Sequence, residues 1–249
     1  MKHVPDDALP EPEFRSEMTV ELIRSSAHDS DVLFAARVST QGENTLDAAV
    51  AGTAAADRDR GLINYLMRDR HGSPFEHNSM TFYVSAPIFV FREFMRHRMA
   101  SYNEESGRYR QMRPVFYVPG PDRALVQQGK PGAYDFVPGT SEQTELVVAE
   151  GTRIATEAYA SYVRQLEAGV AREVARAVLP LSLYSSMYVT MNARALMNFL
   201  SLRTKREGSH FPSFPQREIE MVAEQMETRW AELMPLTYGA FQANGRVAP

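Results

Sequence analysis

The chain twice switches from two-residue to helical spacing, and this constrains its fold more than any other feature. Met80, Phe82 and Val84 alternate with Thr81 and Tyr83, as in a strand with one buried face, and Pro87 follows where a first helical turn tolerates it. The change recurs at Met187, Val189 and Met191, with helical spacing from Ala193 to about Thr204. Such a chain packs helices onto short strands, so the expectation is an α+β fold: a single domain with long helices on a small, mostly antiparallel sheet.

Further elements are legible on the same grounds. Met18 to Ile23 alternates as a strand, Ser30 is placed to cap a helix running to Val38, and 57–70 puts Leu62, Ile63, Leu66 and Met67 on one helical face that should stop near Gly72 and Pro74. A helix is expected from Pro87 to Arg98 and a strand within 112–119. The stretch 120–139, punctuated by glycine and proline, reads as a surface loop. Thr140 with Gln143 has the form of a capping box opening a helix to Glu167, with Gly169 suited to its C-terminal cap. A short helix then runs from Val170 to Leu179, closed by Pro180. Ile219, Val222, Met226, Trp230 and Leu233 mark one face of a last long helix. Residues 1–16, with three prolines among acidic residues, read as a flexible arm before one domain at 17–249.

With 44% hydrophobic residues among 249, the chain can bury a substantial core. No apolar run reaches the roughly 18 to 20 residues of a membrane span, and the acidic start is unlike a signal peptide, so a cytoplasmic protein is expected. The net charge of -4 argues against a surface that tracks nucleic acid. There is no cysteine, which excludes a thiolate nucleophile. Glycine-rich dinucleotide turns, Walker loops and paired-histidine metal motifs are also absent from the sequence, and no metal is expected.

Against that acidic background, six arginines fall within 22 residues: Arg92, Arg96, Arg98, Arg108, Arg110 and Arg113, with His97 among them. Arg92 and Arg96, four apart, would share a helical face, and the guanidinium fork suits phosphate because it donates paired hydrogen bonds and stays charged. Ser101 to Arg108 adds hydroxyl, amide and carboxylate groups, with Gly107 allowing close backbone approach: a nucleotide cradle in form. The competing reading is a solvated face of arginines paired with Glu93, Glu104 and Glu105.

Arg96-His97-Arg98, seven residues, then Ser106, in the context Arg96-His-Arg-Met-Ala-Ser-Tyr-Asn-Glu-Glu-Ser-Gly-Arg-Tyr109, resembles the signature of flavin-dependent thymidylate synthases. Ser73-Pro-Phe-Glu-His77 before it also resembles that family, as do the blocks Ala171 to Pro180 and Met191 to Arg203 after it. The likeness covers roughly residues 17–235. It implies reductive methylation of dUMP to dTMP, with 5,10-methylenetetrahydrofolate as carbon donor, tetrahydrofolate as product and FAD with NADPH as reductant. It also implies a homotetramer with shared sites.

Carried over residue by residue, the resemblance assigns FAD to Arg96, His97 and Arg98, with Ser73 and Glu104 nearby and Asn192, Arg194 and Asn198 completing the site. On the substrate side it implies Glu93, Phe94, Met95 and Arg96, then Glu104, Glu105, Ser106, Gly107 and Arg108, with Arg176 and Arg203. Arg203 is the expected catalytic residue, since a fixed cation beside uracil favours negative charge on the ring, and the family associates this position with ionisation at N3. Ser106 is read as a substrate ligand in preference to a nucleophile served by His97, because no third group orients the pair.

For several residues a plainer reading competes. His77 suits a buried core histidine, which leaves His71 the better candidate for lying beside the flavin; Asn198 suits a helix-surface amide, and Arg176 a salt bridge to Glu173. The match departs after Arg203. Where many family members have a short Ser-His-Ala-Gln turn, Thr204 to Gln216 is longer, leaving His210, Phe214 and Gln216 as candidates for the ground of the family histidine. Two alternatives stand beside the main reading: a flavin-dependent methylase or hydroxymethylase of a related pyrimidine nucleotide, and a non-catalytic RNA-binding module.

Overall fold

The computed structural model describes residues 11–44, 56–131 and 133–249. The first ten residues of the expected arm and the loop before the second helix lie outside them. The chain divides into two compact units, one of 1–17, 85–92 and 104–186, the other of 18–84, 93–103 and 187–249. Each is assembled from separated stretches, so no single cut of the chain separates them.

The first unit is built around a 27-residue helix, α4 (Ser141–Glu167). The capping box is formed: Gln143 N donates to Thr140 Oγ1 at 3.2 Å, and Thr140 N to Gln143 Oε1 at 2.9 Å. Gly169, at φ 84°, takes the left-handed position beyond the helix end. The buried side of α4 (Ala155, Tyr159, Tyr162 and Val163) packs with Met112, Phe116, Leu183 and Ala175, the last residue of the short helix α5 (Arg172–Ala175). The two tyrosine hydroxyls within this core bond the backbone of Met112, one from Tyr159 to its carbonyl and one accepting its N–H, both at 3.2 Å. Two small strand pairs belong here. β1 (Glu13–Arg15), from the expected arm, runs parallel to β5 (Val115–Tyr117). The expected 120–139 loop instead contains an antiparallel hairpin, β6 (Val126–Lys130) with β7 (Ala133–Val137). Its strands are mostly exposed and lack an apolar alternation, so backbone pairing alone marks them.

The second unit holds β2 (Thr19–Ser25), α1 (Asp29–Gln41), α2 (Ala56–Arg68), α6 (Ala193–Arg203), α7 (Arg217–Leu233) and a further helix, α8 (Pro235–Ala243), that spacing alone did not announce. α1 is capped at His28, not Ser30, with Asp31 completing a capping box. The first turn of α8 is held from afar, as the Asp29 carboxylate accepts from Leu236 N and Thr237 N at 2.8 Å each. Trp230 is fully buried, its ring 5.5 Å from Tyr238 and 5.7 Å from Phe241. Strands hydrogen-bond in the order β2-β3-β8-β4, with β3 (Met80–Pro87), β4 (Ser101–Glu104) and β8 (Tyr184–Met191), so among the described residues the sheet expected as one is three. Met80, Phe82, Val84 and Val189 are completely buried, and the Thr81 and Thr190 hydroxyls bond at 2.9 Å. No helix among the described residues is long and apolar enough to cross a membrane.

Candidate active site

The helix expected from Pro87 to Arg98 is shorter: α3 spans Ile88–Phe94, and Arg96, His97 and Arg98 lie past its end. The cause is a contact that helical spacing cannot reveal. The Tyr102 hydroxyl donates toward the carbonyl oxygens of Phe94 at 3.0 Å and His97 at 2.6 Å, satisfying acceptors that a continuing helix would have used. Arg92 and Arg96 therefore do not share a helical face. Phe94 itself is wholly buried, stacked on Phe199 with centroids 4.4 Å apart, so its side chain serves the core. Met95 is exposed.

α6 carries Arg203 in its last turn. Asn192 caps the other end, its Oδ1 accepting from Ala195 N at 2.9 Å, and Asn78 adds a bond from Ala193 N at 2.8 Å. The amide oxygen of Asn192, assigned from the resemblance to a cofactor, is thus engaged in a cap. Buried Leu196, Met197, Phe199 and Leu200 fix which way the helix faces. Arg203 Nη1 then donates to Glu93 Oε2 at 2.8 Å, and Arg203 Nε to His97 Nε2 at 3.0 Å. The other terminal nitrogen, Nη2, has no partner among the described residues.

His97 packs its ring edge-on to Phe199, 4.9 Å away. Burial first, and the Arg203 charge second, push its pKa down to about 4. It is neutral at physiological pH, and because Nε2 accepts from Arg203 its hydrogen is assigned to Nδ1. The nitrogen that a serine would need as base is already occupied, which removes the basis for a Ser106–His97 nucleophilic pair. Arg92, Arg96 and Arg98 are exposed and make no ion pair or side-chain hydrogen bond among the described residues.

The Ser73–Glu76 turn meets α6 through Arg194, which pairs with Glu76 and donates from Nε to the Pro249 oxygen at 2.6 Å. Gly72 lies against the same guanidinium: a Cβ there would come within 2.5 Å of Arg194 Cζ. Ser73 is exposed, and Asn198, also exposed, donates to the Arg194 carbonyl at 3.2 Å as a surface amide. His77 is exposed, which overturns its reading as a core histidine; side-chain size and sequence neighbours did not show that its turn faces solvent. His71 stacks on Tyr65 at 5.5 Å.

The remaining residues of the expected cradle gather in the first unit. Residues expected to form one polar loop split between a strand, β4, and a turn. Glu104 ends the strand, its pKa raised by burial and by Glu105, against the opposing influence of Ser185 and Arg176. The Glu105 carboxylate lies 3.0 Å from Arg110 Nε, while Ser106 Oγ accepts from Arg108 N at 3.3 Å. Gly107 is buried, and a Cβ there would stand 3.2 Å from Arg176 Cδ. Glu173 pairs with Arg108 at 2.9 Å, so it is not the partner of Arg176 that the plainer reading offered. In the turn after α6, His210 N donates to the Gly245 carbonyl at 2.8 Å; His210 and Phe214 are both exposed, and Gln216 stands at the N-cap of α7.

A cation pinned between a carboxylate and a neutral imidazole, with guanidinium groups unpaired among the described residues in the segment that supplies the imidazole, is an arrangement that can stabilise negative charge. Comparison with known proteins makes this specific. The family model "Thymidylate synthase complementing protein" matches residues 21–236. A flavin-dependent thymidylate synthase of Streptomyces coelicolor is 66% identical over the whole of both chains, and one of Thermotoga neapolitana is 43% identical over 89% of each. Among solved structures, a UMP/dUMP methylase, PolB, of Streptomyces cacaoi bound with 5-Br dUMP superposes with a TM-score of 0.89 at 58% identity, covering 95% of this chain and all of that one. The same methylase bound with 5-Br UMP gives a TM-score of 0.87 at 56% identity, over 96% of this chain and all of that one. The chain belongs to the flavin-dependent thymidylate synthase family.

Sequence reasoning missed Tyr102, Phe199, Gly72 and Glu76. Glu76, Tyr102 and Phe199 stood inside the quoted motifs, but nothing in their spacing announced a partner.

Proposed function

We propose that this enzyme converts dUMP to dTMP in the cytoplasm. In this reaction dUMP, 5,10-methylenetetrahydrofolate, NADPH and a proton give dTMP, tetrahydrofolate and NADP+. The observation that carries the reading is Arg203, held on two sides and open on the third, inside a chain that matches the family along most of its length.

The flavin fits the donor set. Arg96 and Arg98 are exposed and without carboxylate partners among the described residues, as a binding site for the diphosphate of FAD requires. Ser73, Arg194 and Asn198 on the adjoining turn and helix would complete the cofactor site with His97 and Asn192. Bound there, FAD supplies the reducing equivalents that turn the transferred one-carbon unit into a methyl group.

The chain's own residues bind, orient and stabilise charge. The dUMP phosphate is received by Arg108 and Arg176 with the 105–107 backbone. Arg108 gives up only an exposed pair with Glu173, worth little in water, when phosphate replaces the carboxylate. Glu93 and His97 fix Arg203 so that Nη2 offers its two hydrogens to the uracil without reorganisation, favouring negative charge as it develops on the ring. His97, neutral at physiological pH, serves Arg203 as an acceptor. No thiolate adds to the pyrimidine, since the chain has no cysteine.

Association into a homotetramer is part of the proposal. Leu146, Val147 and Ile154 line the exposed side of α4, an apolar stripe that a second copy would cover.

The test is anaerobic turnover with dUMP, methylenetetrahydrofolate, FAD and NADPH, omitting each in turn and following thymidylate by chromatography. Product that needs all four is expected. Flavin-dependent NADPH oxidation without thymidylate would overturn the substrate assignment. Because the structural neighbour was crystallised with analogues of both UMP and dUMP, UMP belongs in a parallel arm; equal turnover of both would broaden the substrate class.

A further inference from the structure

The end of α6 is held by a buried polar cluster that the chemistry above does not use. Thr204, directly after Arg203, donates from Oγ1 to the Leu200 carbonyl at 2.7 Å and accepts from Arg246 Nη2 at 2.9 Å. Its own carbonyl accepts from Ser213 Oγ. Arg246 is 2% exposed, sits at a left-handed φ of 57° and lies over the Phe241 ring. Its Nη1 donates to Glu227 Oε1 at 2.6 Å and to Gln242 Oε1 at 3.0 Å. Glu227, 4% exposed, also accepts from Tyr238 at 3.3 Å and, through Oε2, from Arg206 at 3.4 Å.

A buried ion pair recovers in Coulomb attraction about what it loses in desolvation, so apolar side chains of similar volume would stabilise this core as well or better. What such side chains could not do is address one hydroxyl. Here the pair reaches Thr204 Oγ1, while Glu227 holds Arg206 on the far side, so the backbone immediately beyond Arg203 is gripped at two points. A helix end normally frays. This one is fixed where the proposed catalytic cation leaves it, and a misplacement of an ångström at such a group can cost about a hundredfold in rate.

We infer that Thr204, Arg246 and Glu227 are positioning residues for Arg203: a buried clamp that holds the end of α6 so that the guanidinium reaches Glu93 and His97 together. The inference rests on the catalytic reading of Arg203, but the geometry it asserts can be read without turnover.

Thr204→Val keeps the shape and removes the hydroxyl; Thr204→Ser restores it. In the flavin-loaded enzyme, Thr204→Val should lower kcat about tenfold or more while leaving the KM for dUMP and the flavin content near those of the parent, and Thr204→Ser should recover most of the rate. Independently, the His97 imidazole signal, assigned by its loss in His97→Gln, should titrate at higher pH in Thr204→Val, because the Arg203 charge that disfavours its protonation has moved. If Thr204→Val does not fold, Ser213→Ala removes the other contact to Thr204 and should show the same two changes in smaller measure. Unchanged kcat and an unchanged His97 titration would overturn the clamp, as would equal losses in Thr204→Val and Thr204→Ser. If the parent enzyme makes no thymidylate, the dUMP reading falls, yet the His97 titration still decides whether Thr204 places Arg203.

Discussion

Arg203 and the Arg96–Arg98 pair carry the same functional group in opposite conditions. Arg203 is partly buried, fixed by Glu93 and His97 and set on a helix whose other face is core. Arg96 and Arg98 lie past a helix end, exposed and without partners among the described residues. A cation that must stabilise charge developing during a reaction gains from being fixed beforehand, since no reorganisation remains to be done. A cation that must close on an incoming anion gains from being unpaired, since no existing salt bridge has to break first. Preorganisation and vacancy are thus two uses of arginine, told apart by their partners.

The largest expected effect comes from abolishing the fixed cation. Arg203→Ala should lower kcat by about a hundred- to a thousandfold, the range for losing one preorganised donor, while the purified protein stays yellow. Flavin loss equal to the loss of turnover would erase the distinction. Arg98→Ala should do the reverse, weakening FAD binding by about tenfold or more, as expected for one charge-assisted hydrogen bond, with kcat at saturating flavin reduced much less. Flavin titration by fluorescence quenching reads this directly.

A smaller effect sharpens the preorganised side. Folded His97 has a pKa of about 4, below the ordinary value of 6.5, so between these pH values the unfolded chain takes up a proton that the folded chain refuses. Stability should therefore fall as pH drops through that window, and His97→Gln should fall less steeply. Urea midpoints at pH 7 and pH 5 test it, and parallel losses in the two proteins would refute it. The smallest effect is the control: Thr140→Ala removes the cap of α4 and should cost about 1 kcal/mol of stability in urea melts while leaving flavin affinity and kcat as they were.

Several local signals were read correctly because their cause was local, although the cap of α1 fell at His28 and not at Ser30. The Thr140–Gln143 box, the left-handed Gly169 and the strand at Met80 depend on neighbours a few residues away, and they formed as spacing required. The stretch 120–139 misled because a hairpin with little burial leaves no apolar period to read. His77 misled for the opposite reason: a polar aromatic residue suits core or surface, and only the course of the turn decides. Of the candidate site, the sequence singled out Glu93, His97 and Arg203, which the structure brings together, but neither their pairings nor the part played by Tyr102 and Phe199.

The sequence by itself determined the alternation of strand and helix, the absence of a thiolate, the cluster of arginines and the signature that placed the chain in its family. Tertiary structure alone decided where α3 ends, which arginine is fixed and which are free, and that His97 is neutral. The helix end and the fixed arginine are set by contacts with side chains beyond the reach of helical spacing, and the neutrality of His97 first by its burial. Tyr102 meets the carbonyls of Phe94 and His97, while Arg203 finds His97 and Glu93 at separations of 106 and 110 residues. Periodicity records only what a residue shares with its neighbours in the chain; charge placement depends on what the fold brings beside it.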